Sequence, residues 1–193
     1  MMYRSLELHG ILKRFRDVTF DSMKTVPSDV IDNAKACKEY AKNIGEHIKK
    51  GEGLILQGSY GTMKTTLSVC ILREALAQGY SGLFVPMCNL IDNLFTMRSL
   101  SREEWARYEK MIRGTKLLVL DDFGGENTDQ GWILSKVDSI ITERYNRMLP
   151  IIITTNYSTE DMKGTYSGRL IDRLMSTNRV LSFTGHSHRK QLT

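Results

Sequence analysis

The chain has 193 residues, 41% of them hydrophobic and 25% charged, a balance that excludes wholesale disorder and suits one compact domain. Its 27 lysines and arginines against 22 aspartates and glutamates give a net charge of +5, which admits a polyanionic partner without requiring one. No apolar run reaches the ~20 residues of a membrane span, and Met1 to Gly10 lack the apolar stretch of a secretory signal, so no membrane partner is expected.

Cys37, Cys70 and Cys88 share no zinc or redox spacing and read as buried free thiols of a reducing cytoplasm. His9, His47, His186 and His188 pair with no carboxylate in a zinc spacing, so a metalloenzyme is excluded as well.

Residues 1–27 read as a short basic lead ahead of a domain over 28–193. Leu6, Leu8, Ile11, Leu12 and Phe15 within the lead suit either a short partner-binding helix or a segment packed on its own domain. Val30, Ala34, Cys37, Ala41, Ile44 and Ile48 then recur at helical spacing, which predicts one helix with Ser28 as N-cap and Gly51 past its end. Its outer face carries Lys35, Lys38, Lys42 and Lys49, a solvated face. Farther along, Ser101 and Glu104 fit a capping box opening a charged helix that runs to Arg113. Trp132, Ile133, Val137, Ile140 and Ile141 give a later helix an apolar face directed at the core.

Between these helices lie Leu54-Ile55-Leu56, Leu83-Phe84-Val85, Leu117-Leu118-Val119-Leu120, Ile151-Ile152-Ile153 and Val180-Leu181. Short apolar runs without polar alternation predict strands buried on both faces, hence a parallel sheet covered by helices in an α/β fold.

The stretch from Ile55 to Leu67 carries the most chemistry. A buried strand runs into a loop over Gly58, Gly61, Thr62 and Met63, then into a helix that starts near Lys64, with Thr65 and Thr66 in its first turn, and ends near Gly79. Backbone N–H groups and a helix N-terminus in that arrangement cradle a phosphate, with Lys64 reaching its β- and γ-oxygens and Thr65 completing a Mg²⁺ shell. The pattern G-x-x-x-x-G-K-[ST] asks for glycine where this chain has Met63, and a side chain there crowds the loop's approach to the phosphates. The strand Leu117–Leu120 delivers Asp121 and Asp122 to the sheet's carboxyl edge. There Asp121 can hold Mg²⁺, and Asp122 can orient or deprotonate an attacking water. The strand at Ile151 ends in Thr154-Thr155-Asn156, where Asn156 suits either a contact to that water or to the γ-phosphate, or a plain strand cap. Arg169 and Arg173, four residues apart on one helix face, suit either an arginine finger reaching a neighbour's phosphate site or a solvated basic face.

Together these four elements resemble the AAA+ ATPases of the bacterial and phage replicative helicase-loader family (DnaC, DnaI and the IstB-like transposition ATPases). The similarity begins at Ile11-Leu-Lys-Arg-Phe-Arg-Asp-Val-Thr-Phe-Asp21 and ends at Gly168-Arg-Leu-Ile-Asp-Arg-Leu174, most of the chain. The resemblance implies that Lys64 and Thr65 are Walker A, Asp121 and Asp122 Walker B and Asn156 sensor 1. It further implies that Arg169 is the finger acting in trans, with Arg173 beside it, and that Arg189 is a sensor 2 residue. The implied fold is a five-stranded parallel sheet of order 5-1-4-3-2 without the helical lid of many AAA+ proteins.

The implied function is an ATP-dependent loader that binds ATP/ADP with Mg²⁺, self-associates on ATP binding, binds single-stranded DNA and delivers a hexameric replicative helicase. DNA contact is expected between Asn89 and Arg113, where Arg98, Arg102, Arg107, Lys110 and Arg113 outnumber the acids and Phe95, Trp105 and Tyr108 can stack on bases. The alternatives are an IstB-like ATPase assisting DNA transposition, and a nucleotide-gated adaptor with little hydrolysis, for which Met63 speaks.

Overall fold

The five apolar runs form the five strands: β1 (Gly53–Gly58), β2 (Gly82–Pro86), β3 (Leu117–Asp121), β4 (Ile151–Thr155) and β5 (Asn178–Phe183). The computed structural model describes residues 7–23, 26–96, 102–124 and 131–189. All strands pair in parallel, in the order β2-β3-β4-β1-β5, which read from the other edge is the expected 5-1-4-3-2. Successive side chains of a strand point to opposite faces. Accordingly Leu54, Leu56, Val119 and Ile152 enter one apolar layer, while Ile55, Leu118, Leu120, Ile151 and Ile153 enter the other.

Helices α1 (Ile31–Lys42), α2 (Ile44–Lys50) and α3 (Lys64–Ala77) cover the first layer. Helices α4 (Met87–Thr96), α5 (Arg102–Gly114), α6 (Gly131–Asn146), α7 (Thr159–Thr165) and α8 (Gly168–Thr177) cover the second. Burial on both faces explains why β1 to β4 read as unbroken apolar runs; β5, expected to be buried likewise, is an edge strand buried at Leu181 and Phe183 but exposed at Arg179 and Ser182. Among the described residues no helix is long and apolar enough to cross a membrane.

Several expectations need correction. The helix predicted from Ser28 to Gly51 is two helices that break at Asn43 (φ −100°, ψ 22°), whose side-chain amide donates to the Glu39 carbonyl. Asparagine competes in this way with the backbone ladder, and the apolar stripe continues across the break, so periodicity alone does not reveal it. Ser28 lies before α1, whose N-cap position is held by Val30 without a side-chain cap bond. Gly51 does end α2 in the left-handed conformation, with φ 72°.

Trp132 is 48% exposed, although Ile133, Val137, Ile140 and Ile141 are buried. One residue before Ile133 is about 100° round the helix from it, so Trp132 leaves the stripe and meets Phe95 edge-on. Cys37 and Cys70 are buried and their thiols are pushed up to about 12 by that burial, but Cys88 is exposed at the start of α4. Ser101, the expected cap of α5, lies outside the described residues.

Of the lead's apolar residues, Ile11 and Phe15 pack on its own domain, Leu8 and Leu12 are exposed, and Leu6 lies outside the described residues. Ile11 is buried, the His9 carbonyl accepts from Phe84 N–H at 2.8 Å, and His9 Nδ1 lies 2.7 Å from the Gly82 carbonyl. These contacts shield β2, an edge strand whose free backbone groups would otherwise invite foreign pairing.

Candidate functional site

At the carboxyl end of β1 the chain turns sharply into α3. Gly58 (φ 145°) and Gly61 (φ 76°) adopt backbone conformations that side chains rarely reach, and a Cβ on either would overlap the Phe183 carbonyl or Ser187 respectively. The Thr62 hydroxyl donates to the Ser59 carbonyl at 2.8 Å and closes the turn from within. Met63 is left-handed (φ 69°, ψ 10°) and occupies the N-cap of α3. A side chain in that conformation costs about 1–2 kcal/mol. The Met63 side chain packs partly buried against the layer under α1 and α3, which offsets that cost. From Lys64 onward the first-turn N–H groups of α3 lack intrahelical acceptors and carry the positive end of the helix dipole.

Lys64 is only 7% exposed. Its Nζ donates to the carbonyls of Gly58 (2.7 Å) and Ser59 (2.6 Å) and to Asn156 Oδ1 (2.9 Å), all neutral oxygens. No carboxylate lies within 4 Å of this ammonium among the described residues. Burial therefore pulls its pKa from 10.5 down to about 8, against the opposing pull of Asp122 and Asp121.

Asp121, at the end of β3, accepts from Thr154 Oγ1 at 2.6 Å and from the Thr65 hydroxyl. Burial nevertheless holds its carboxyl above the usual carboxylate range. Asp122 is left-handed (φ 61°), fixed by its N–H donating to Thr154 Oγ1 (2.9 Å) and by Asn156 Nδ2 donating to its carboxylate (2.7 Å). Asn156 thus links Lys64 on one side to Asp122 on the other, and a single hydroxyl on β4 organises both acids.

These groups line one cleft of about 760 Å³, a size suited to a small ligand, and it contains Gly61, Thr62, Met63, Lys64, Thr65, Thr66, Asp121, Asp122, Asn156 and Arg189. Gly58 shapes it from below through its carbonyl on Lys64. Arg14, Phe15 and Pro27 of the lead line it too, as does Thr154. The phosphate-loop pattern gives no sign of Arg14, about fifty residues upstream, because its place is set by tertiary packing.

Arg169 and Arg173 do not reach this cleft. Arg169 is exposed on α8, whereas Arg173 turns onto α6, pairing with Asp138, donating to the Thr142 hydroxyl and lying over the Tyr145 ring. Of the expected DNA-contact residues, Trp105 and Tyr108 are half-buried against the core. Arg113 is engaged by Glu109 (2.9 Å) and Glu143 (2.7 Å). Phe95, Arg107 and Lys110 are exposed. Arg98 and the Arg102 side chain lie outside the described residues.

The donor set fits a nucleotide with a hard divalent cation. A buried ammonium has only neutral oxygens around it, a helix N-terminus opens on the same space, and a hydroxyl–carboxylate pair (Thr65, Asp121) offers hard oxygen ligands of the kind Mg²⁺ takes. Sheet order, loop and acidic strand end define the class: a P-loop protein of AAA+ type.

Comparison with known proteins narrows the class. Residues 8–193 match the family described as IstB-like ATP binding protein, and the chain belongs to that family. It is 25% identical over 201 residues to the replicative helicase loader DnaI of Bacillus subtilis (strain 168), covering 97% of this chain and 61% of that protein. It is 22% identical to the replicative helicase loader DnaC of Escherichia coli (strain K12), covering 100% of this chain and 77% of that protein. A putative insertion sequence ATP-binding protein of Sinorhizobium fredii, y4uH, is 27% identical across 86% of this chain and 68% of its own length. Among solved structures, the DnaC helicase loader superposes with a TM-score of 0.78 at 25% identity, covering 89% of this chain and 99% of that one. AMPPCP-bound DnaA from Aquifex aeolicus shares the fold, with a TM-score of 0.69 at 19% identity over 86% of this chain and 50% of that one.

Proposed function

We propose that this chain is an ATP-hydrolysing replication factor that assembles with copies of itself, binds single-stranded DNA and delivers a hexameric replicative helicase. The observation that carries the nucleotide chemistry is Lys64, a buried cation without a carboxylate partner among the described residues, aimed into a cleft shared with Asp121 and Asp122. The similarity to two replicative helicase loaders along nearly the whole chain supports the replication role.

In this reading, the loop from Gly58 to Met63 and the first turn of α3 bind the β- and γ-phosphates, and Lys64 exchanges its carbonyl partners for phosphate oxygens. Thr65 and Asp121 would hold Mg²⁺, which supplies charge neutralisation at the phosphates. Asp122, tethered by Asn156, orients the attacking water and accepts its proton. Asn156 is poised to sense the γ-phosphate, because Lys64 is already its partner. Arg169 lies outside its own subunit's cleft, which supports its entering a neighbour's as a finger, with Arg173 anchored to α6 beneath it.

The IstB-like reading, an ATPase assisting DNA transposition, draws support from the family match and from the insertion sequence relative. Co-purification with a replicative helicase rather than a transposase separates the two. The test of the ATPase is hydrolysis per subunit against protein concentration, with and without single-stranded DNA. We expect turnover to rise with concentration and with DNA, and Arg169→Ala to lose ~10²-fold or more while still binding nucleotide, since a trans finger contributes large factors to turnover. A flat profile, unchanged by DNA or by Arg169→Ala, contradicts a shared site.

A further inference from the structure

Beyond β5 the chain returns across the phosphate loop, and residues 184–189 lie against it as a strap. The His188 backbone N–H donates to the Gly61 carbonyl at 2.9 Å, and Ser187 packs so closely on Gly61 that no Cβ would fit between them. Three strap residues converge on Asp29, two positions ahead of α1. His188 Nε2 lies 3.1 Å from Asp29 Oδ1, the His186 N–H donates to Asp29 Oδ2 at 3.2 Å, and a Cβ on Gly185 would overlap the same carboxylate. The carboxylate is the acceptor, so the imidazole carries its proton on Nε2.

The next residue, Arg189, lines the cleft together with Lys64, and its guanidinium has no acceptor among the described residues. Its charge opposes protonation of Lys64, and the two cations face one cavity that Arg14 also lines. Such a pair suits a polyanion, and a flexible arginine serves it well only when its backbone is fixed.

We propose that Asp29 and His188 form a clasp that fixes the strap on the phosphate loop and positions Arg189 toward the γ-phosphate of a bound nucleoside triphosphate. Asp29 lies outside the cleft and His188 at its border; both are positioning residues acting through Arg189. The inference rests on the nucleotide reading above. It also explains how two segments more than 150 residues apart in sequence, the approach to α1 and the chain beyond β5, bear on one phosphate site.

The test compares the affinities of the full chain for a non-hydrolysable ATP analogue and for ADP, in the presence of Mg²⁺. Asp29→Ala and His188→Ala should each weaken the analogue ~10-fold or more, the worth of one charge-assisted contact, while ADP changes less than ~3-fold. His188→Gln, which keeps a donor for Asp29, should restore most of the loss. In an Arg189→Ala background, His188→Ala should add nothing. In the nucleotide-free protein, the His188 amide should exchange its hydrogen faster in Asp29→Ala than in the parent. Equal losses for ATP analogue and ADP, an additive double variant, or unchanged amide exchange would each overturn the clasp. Failure of the parent to bind either nucleotide would instead remove the nucleotide reading, and the clasp's purpose with it.

Discussion

At the residue scale the site turns on two neighbours, Met63 and Lys64. Met63 holds a left-handed conformation where the phosphate-loop pattern expects glycine, and its partly buried side chain repays some of the strain by packing. Met63→Gly removes both terms, so its net effect on stability should stay within about 1 kcal/mol, read as a small shift of the denaturation midpoint. Turnover should rise, because the loop then closes on phosphate without a Cβ in the way; a fall in turnover would show that the methionine is required.

Lys64 gives a pH prediction. Its folded pKa of about 8 lies below the unfolded 10.5, so between these values the unfolded chain holds the proton and the folded chain has released it. Stability of the nucleotide-free protein contributed by this group therefore increases as pH rises through 8 toward 10.5. Nucleotide needs the charged form, so binding above pH 8 should take up a proton, seen as a binding enthalpy that varies with the buffer's ionisation enthalpy. Binding heats independent of buffer would place the Lys64 pKa elsewhere.

At the element scale, a strand's end is what delivers each acid and amide, and β1 to β4 were legible in the sequence because burial on both faces leaves unbroken apolar runs, while β5, a half-exposed edge strand, showed only its Val180-Leu181 pair. Lys64, Thr65, Asp121, Asp122 and Asn156, predicted from loop pattern and strand ends, do meet in one cleft. The break at Asn43 was not legible, since the stripe from Val30 to Ile48 runs through it. Nor was Arg144, a fully buried arginine of α6 whose guanidinium donates to the carbonyls of Ile112, Thr115 and Pro150, each at 2.9 Å. In sequence it reads as one more helix cation. In the fold it ties the end of α5 to the start of β4. Arg144→Met would leave the Ile112 and Thr115 carbonyls without donors and the Pro150 carbonyl with only the Leu118 N–H at 3.4 Å, and should cost about 3 kcal/mol or more, measured by chemical denaturation. A loss under 1 kcal/mol would mean that water replaces the guanidinium there.

At the scale of the whole molecule, one cleft gathers the lead, the phosphate loop, two strand ends and the strap. That Arg14 and Phe15 border the phosphate site, and that Asp29 meets His188 beside it, is not legible in the sequence for a single reason: contacts between distant segments leave no period and no spacing. The helix that carries Arg169 was predicted with its two arginines, but its distance from the cleft appears only in three dimensions. If Arg169 enters a neighbour's cleft as proposed, Arg169→Ala subunits mixed into the parent should depress hydrolysis more than their share of the mixture. A linear decline with the variant's fraction would mean that each site works alone.

Whether the cleft around Lys64 binds ATP is decided by calorimetric titration of a non-hydrolysable ATP analogue with Mg²⁺ into the parent and into Lys64→Ala. One site per chain in the parent and at least a ~100-fold loss in the variant are expected, since a buried charge-assisted partner of phosphate is removed. Equal affinity in the two proteins, or no binding to the parent, would contradict ATP binding there.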